Sequence, residues 1–131
     1  MSMKVLIADP DWRFVRQASQ YLETHAHLVV CEPRAREAQA HADHWRPDLV
    51  ILAVESAEKV LGSLYSLQPR PAVLLTGRMD RYDLAWKAWQ KGGDELLMKP
   101  IFKAEELHDA IVTALENVVT GARGRRAAAS A

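Results

Sequence analysis

Leu49-Val50-Ile51-Leu52 is an unbroken apolar run that follows the turn-forming residues Arg46-Pro47-Asp48 and ends at Ala53. A strand that is covered on both faces of a parallel sheet has a continuous apolar sequence of this length, whereas a half-exposed strand alternates apolar and polar residues. The turn before the run sets where the strand begins. The sequence therefore predicts a buried central strand here.

Other short strands are predicted on both sides of this run in the chain. They are Lys4–Ala8, Leu28–Cys31, Ala72–Thr76 and Glu95–Met98. Cys31, the only cysteine, ends an apolar run and is expected to be a small buried side chain.

In the segments between the strands, apolar residues recur at helical spacing, which predicts a helix in each segment. Five helices are predicted. The first begins after an N-cap at Asp11, the second begins at Pro33, and the third spans Ser56–Leu67. The fourth runs from a cap at Asp80 to Gln90, and the fifth spans about Ala104–Val119. Gly92-Gly93 is predicted to end the fourth helix in a left-handed C-cap. Crossovers of this length imply an α/β fold, a doubly wound five-stranded parallel sheet with helices on both faces.

The composition is that of one globular domain. The chain has 131 residues, and its 17 Lys and Arg balance its 17 Asp and Glu. Net charge therefore gives no support for a nucleic-acid or membrane partner. No apolar stretch is long enough to cross a membrane and no signal peptide opens the chain, so a cytoplasmic protein is expected. Residues 1–119 are predicted to form the domain, and residues 120–131, rich in Gly, Ala and Arg, a disordered tail without nucleic-acid binding.

Four of the predicted strands lead into residues that belong at one edge of the sheet. These residues are Asp9, Ala53, Thr76 and the pair Lys99-Pro100. In open α/β sheets, ligands bind outside the carboxyl ends of the strands, so a functional site is expected there.

The order and spacing of these segments resemble those of response-regulator receiver (CheY-like) domains over roughly Met3 to Val119. The segments that carry the resemblance are Ile7-Ala8-Asp9, Pro47 to Ala53, Val73 to Gly77, and Gly92 to Pro100. The resemblance implies a flavodoxin-like fold, a place in two-component signal transduction, and a cis peptide bond between Lys99 and Pro100.

Receiver chemistry uses paired acids that help to hold Mg²⁺, an acceptor aspartate, a hydroxyl and a lysine. This chain keeps Asp9, Thr76 and Lys99, but it has Pro10 in place of the second acid and Ala53 in place of the acceptor. A methyl group cannot take a phosphoryl group. We therefore expect no catalytic residue, metal or cofactor.

Three further features of the sequence depart from the family pattern. Asp11 supplies a carboxylate one position late, and Leu96 replaces the aromatic residue that swings inward on activation. Val54-Glu55-Ser56 replaces the loop that follows the acceptor in the family. An unpaired buried ammonium is costly, so Lys99 is predicted to pair with Asp9 or with Glu55.

An interaction surface is predicted on the fourth helix and its neighbours, which form the output face of receivers. Tyr82, Trp86 and Trp89 share one side of this helix, while Ala85 and Ala88 can cover the sheet instead. Burial of Trp86 in the core is an equal alternative, and Trp89 is expected to be mostly buried. The candidate contact residues are Trp86, Gln90, Lys91 and Ile101.

The favoured function is a non-enzymatic pseudo-receiver that binds another protein without being phosphorylated. The partner is a histidine kinase or another signalling protein, or a second copy that binds through the last two helices. The alternative is a receiver switched through Asp9 or Asp11, or by a small ligand in the vacated pocket. An enzyme or cofactor binder is a third class, disfavoured because the chain has no G-x-G-x-x-G or P-loop sequence. Asp9, Thr76 and Lys99-Pro100 are also compatible with an unrelated α/β domain, in which they have no role beyond ending the strands.

Overall fold

A computed structural model describes residues 2–121 and 123. Five strands alternate with five helices along the chain. The strands are β1 (Lys4–Ala8), β2 (Leu28–Cys31), β3 (Leu49–Ala53), β4 (Ala72–Arg78) and β5 (Glu95–Lys99). The helices are α1 (Trp12–Thr24), α2 (Ala35–Trp45), α3 (Val54–Tyr65), α4 (Tyr82–Lys91) and α5 (Ala104–Thr120).

The strands form one parallel sheet in the order β2-β1-β3-β4-β5. Every residue of β3 is buried, as its apolar run predicts. Alternate strand residues point to opposite faces, and each face has its own core. Helices α2, α3 and α4 cover one face and helices α1 and α5 the other. The predicted doubly wound fold is confirmed.

Three helix starts differ from the prediction. Helix α2 begins at Ala35, two residues after the predicted Pro33. Helix α3 begins at Val54, directly after β3, two residues before the predicted Ser56. Asp80 does not cap α4, because it lies in a short 3₁₀ helix (Met79–Arg81) and its carboxylate accepts hydrogen bonds from Arg78. Asp11, in contrast, caps α1 as predicted and accepts a hydrogen bond from the Phe14 amide at 3.3 Å.

The two glycines after α4 end the helix where expected, but in a different conformation. Gly92 has φ 159° and ψ −162°, which is not a left-handed cap. Gly93 has φ 93°, and a Cβ there would lie 2.8 Å from the Leu75 side chain. The close approach of this turn to β4, added to the positive φ, requires glycine at position 93.

The expectation that Cys31 is buried is wrong. Cys31 is exposed because it is the last residue of β2, a short strand at the edge of the sheet. Its sulfur lies 3.4 Å from the Ser19 hydroxyl.

The predicted tail lies mostly outside the described residues. Thr120 is the last residue of α5, and residues 122 and 124–131 are not described. Among the residues that are described, no helix is long and apolar enough to cross a membrane.

Candidate functional site

Three polar residues meet at the carboxyl edge of the sheet. Asp9 follows β1, Thr76 lies in β4 and Lys99 ends β5, and their exposed fractions are 1%, 0% and 3%. The parallel order places the ends of these strands beside one another. We call these three residues the Asp9 cluster.

Both oxygens of the Asp9 carboxylate are fully engaged. Oδ1 accepts hydrogen bonds from the Asp11 amide at 2.9 Å and from Lys99 Nζ at 3.1 Å. Oδ2 accepts from the Thr76 hydroxyl at 2.7 Å and from Lys99 Nζ at 2.8 Å. Each buried charge thus has its counter-charge and its hydrogen bonds, as burial in a low dielectric requires.

The predicted pairing of Lys99 with Asp9 is confirmed. Lys99 Nζ also lies 3.6 Å from Asp11 Oδ2 and 5.4 Å from the centre of the Phe14 ring. Glu55, the alternative partner, is exposed on the first turn of α3. The Lys99–Pro100 peptide bond is cis, as the resemblance implies.

The acceptor position contains only a methyl group. Ala53 is fully buried at the end of β3 and pairs in register with Thr76 of β4. Pro10 is exposed, and Leu96 packs against the core under α3 and α4. Position 53 thus lies beside Thr76 in the sheet but has no side-chain oxygen.

The residues present do not fit the Mg²⁺ ion that the receiver fold implies. Mg²⁺ takes carboxylate and water oxygens in a near-octahedral shell. Asp9 is occupied by its own neighbours, Pro10 and Ala53 offer no side-chain oxygen, and the Asp11 carboxylate caps α1. Within residues 2–121 and 123, no three His, Cys, Asp or Glu side chains form a group that could hold a metal.

An open pocket of about 730 Å³ lies above the Asp9 cluster. Its walls include Trp12, Arg13 and Phe14 from α1, and Arg78 and Met79 after Gly77. The Arg78 guanidinium pairs with Asp80 at 2.6 Å. Sequence reasoning did not assign Trp12, Arg13 or Met79 to the site. Of these three residues, only Trp12 directly follows a position that it did identify, the Asp11 cap.

For α4, the structure decides between the two arrangements that the sequence left open for Trp86. Ala85 and Ala88 are buried against the sheet, whereas Trp86 is 49% and Tyr82 62% exposed. Trp89 is half-buried against the core. Gln90 and Lys91 are exposed, and Lys91 Nζ pairs with Glu58 at 2.8 Å.

Ile101 was wrongly placed on this surface by the sequence prediction. It is 6% exposed and packs into the core between the sheet and helices α1 and α5. The chain turns inward directly after the Lys99–Pro100 bond, so this apolar side chain faces the core, and Phe102, which is 79% exposed, faces outward.

The fold and the edge site define a CheY-like α/β architecture with an internally paired acid–lysine cluster. Neither a family model nor a curated protein matches the sequence. Solved structures do match. The signal receiver domain of a protein described as the Luxo repressor of Vibrio parahaemolyticus is 23% identical, with a TM-score of 0.74 over 90% of this chain and 93% of that one.

Two further structures give the same result. Chemotaxis response regulator CheY4 of Vibrio cholerae is 20% identical, with a TM-score of 0.73 over 88% of this chain and 100% of that one. NtrX from Brucella abortus, in complex with ATP, is 21% identical, with a TM-score of 0.79 over 96% of this chain. This chain spans only 29% of the NtrX chain. At these identities the likeness shows that the chain has the receiver fold.

Proposed function

We propose that this chain is a non-enzymatic pseudo-receiver that acts in two-component-type signalling by binding another protein, without phosphorylation. The observation that carries the proposal is the closed Asp9 cluster beside Ala53. Lys99, which would neutralise a phosphoryl group, is already neutralised by Asp9 at 2.8 Å. The Thr76 hydroxyl is likewise held by Asp9 and not free to follow an incoming phosphoryl group.

A small-molecule phosphodonor tests the loss of chemistry. We expect that incubation with acetyl phosphate and Mg²⁺ leaves the intact mass of the protein unchanged. A mass increase of one phosphoryl group that neutral hydroxylamine removes, as it removes an acyl phosphate, would contradict the proposal. If that mass increase were absent in the Asp11→Asn variant but present in the Glu55→Gln variant, the phosphorylated residue would be Asp11. The Oδ2 atom of Asp11 lies 3.6 Å from Lys99 Nζ.

We propose that the partner binds to the α4 aromatic surface, which we define as Tyr82, Trp86 and Trp89. Large aromatic side chains are costly to expose and are enriched at the centres of protein interfaces. The small residues Ala85 and Ala88 let α4 pack on the sheet while Trp86 stays outside. The partner that this proposal favours is a histidine kinase or another cytoplasmic signalling protein; a second copy of the chain is the alternative.

A matched pair of tryptophan variants tests the surface. Trp86→Ala removes an aromatic side chain from α4. Trp12→Ala is the control, because it removes a tryptophan side chain that is 65% exposed at the edge of the pocket. We expect the parent protein and the Trp12→Ala variant to capture the same binding protein from an extract of the source organism. The Trp86→Ala variant should not bind that protein. Equal retention by both variants would remove the α4 surface from the proposal. Sedimentation of the same three proteins separates a second copy from a different partner.

The open pocket supports one second candidate, a receiver fold that is switched by a small ligand. A volume of about 730 Å³ with aromatic walls and a few charged groups is in the range of small-molecule sites. A ligand that shifts the amide signals of Arg13 and Met79 together with those of the α4 surface would support this switch. Shifts confined to Arg13 and Met79 would indicate binding in the pocket without switching.

A further inference from the structure

The Trp89 end of the α4 aromatic surface is already occupied by an arginine of the same chain. Arg123 lies beyond α5, with its guanidinium carbon 3.4 Å from the centre of the Trp89 ring. One of its terminal nitrogens donates a hydrogen bond to the Trp89 carbonyl. The Arg123 side chain therefore contacts both the ring and the backbone carbonyl of Trp89.

The end of a helix is a favourable place for such a cation. Trp89 is one of the last four residues of α4, whose carbonyls have no partner within the helix and carry a partial negative charge. A planar guanidinium can stack on an indole ring while it donates in its own plane, which an ammonium cannot do. The contact thus uses properties that are particular to arginine.

The surroundings of Arg123 are electrostatically mixed. Burial lowers the pKa of Arg123, and the charges of Tyr65, Asp94 and Glu95 oppose this shift. Its Nε is buried and has no hydrogen-bond partner among the described residues. A buried donor without a partner is costly, so Arg123 is held less tightly than a fully paired arginine such as Arg70, which binds Asp94 with two hydrogen bonds.

We propose that the Trp89 ring and carbonyl form a binding site for a guanidinium group, filled in cis by Arg123 and open to an arginine of a partner when Arg123 leaves. Trp89 and Trp86 share the surface of one helix, so the site deepens the proposed function by giving the partner a chemistry. Arg123 then competes with that partner for the α4 aromatic surface.

The indole N–H signals of the four tryptophans report on the site by NMR. Arg123→Ala is expected to shift the Trp89 signal and to leave that of Trp45 in place. Arg125→Ala, which removes the same charge from the same segment, is the matched control and should leave all four signals unchanged. An unchanged Trp89 signal in Arg123→Ala, or an equal shift in Arg125→Ala, would overturn the proposal.

The emptied site is then tested with a defined probe. N-acetyl-arginine methylamide added to Arg123→Ala should return the Trp89 signal towards its parent position with saturation in the millimolar range, and N-acetyl-lysine methylamide should do so at least several-fold more weakly. Absence of saturation, or equal binding of the two probes, would show that there is no guanidinium site. Neither readout uses the pocket or a protein partner, so this proposal and the proposed function can fail separately.

Discussion

Lys99 and Asp9 are the two residues on which the proposed silent pocket most depends. They form an ion pair with exposed fractions of 3% and 1%, and Thr76 and the Asp11 amide complete the hydrogen bonds. A buried pair of this kind adds little net stability compared with apolar residues, but the loss of one partner leaves an unpaired charge. The pair therefore leaves neither of these two charges buried without a partner.

Lys99→Met is predicted to lower the free energy of unfolding by about 3–5 kcal/mol, because it leaves the Asp9 carboxylate buried without a cation. Asp9→Asn combined with Lys99→Met should recover most of that loss, since asparagine is neutral and its oxygen still accepts hydrogen bonds. Urea denaturation measures both. A single Lys99→Met variant within about 1 kcal/mol of the parent would mean that the pair is not formed in solution.

At the scale of elements, the position of α4 depends on one glycine. A Cβ at Gly77 of β4 would lie 2.7 Å from the Ala85 Cβ of α4 and 3.4 Å from the Met98 sulfur. Helix and sheet therefore approach too closely for any side chain at position 77. This contact sets how far Trp86 stands from the sheet.

Gly77→Ala is predicted to destabilise the protein by about 1–3 kcal/mol through overpacking, and to shift the Trp86 and Trp89 indole signals. Gly62→Ala in α3 is the matched control, because a Cβ there meets nothing within 4 Å. It should stabilise the protein by about 0.5–1 kcal/mol through helix propensity. Urea denaturation and NMR check both variants, and equal effects of the two substitutions would contradict this packing argument.

Elements with a strong local pattern could be predicted from the sequence, and those set by tertiary contacts could not. The apolar run of β3 has no polar residue that would place it at an edge, so its burial could be inferred directly. Cys31 has an equally apolar local sequence, but its exposure depends on β2 being at the end of the sheet order. Ile101 and Phe102 are both apolar, and only the direction of the chain after Pro100 decides which one is buried.

The candidate site shows the same division. The strand ends placed Asp9, Thr76 and Lys99 at one edge, and the cost of a buried charge predicted that Lys99 pairs with Asp9 or with Glu55. The hydrogen bond from Thr76 to Asp9 was not predicted. The pocket walls Arg13 and Met79 come from side-chain directions in the turns that follow those strands. Such directions depend on how α1 and the 3₁₀ helix pack, which no local pattern encodes.

At the scale of the whole molecule, β5 connects two polar clusters at opposite edges of the sheet. Asp94, just before β5, binds Arg70 at 2.9 and 3.0 Å, and its carbonyl accepts a hydrogen bond from Asn117 of α5. Lys99 at the other end of β5 binds Asp9. Five strand residues at about 3.3 Å each put the two clusters about 16 Å apart.

Arg70→Ala and Lys99→Met are predicted to act independently because they lie in separate clusters. Their losses of unfolding free energy should add to within about 0.5 kcal/mol in the double variant, as for other distant sites. Urea denaturation of the two single variants and the double variant checks this. A departure from additivity of more than about 1 kcal/mol would show that β5 couples the two edges of the sheet.

The most direct test of a silent pocket is a pair of amide NMR spectra recorded with and without Mg²⁺ plus beryllofluoride, a stable mimic of an acyl phosphate. Because Ala53 has no oxygen and Asp9, Thr76 and Lys99 bind one another, we predict no shift of the signals at these four positions. Saturable shifts there, extending to Trp86 on α4, would contradict the pseudo-receiver proposal and show that another carboxylate has taken the place of the acceptor.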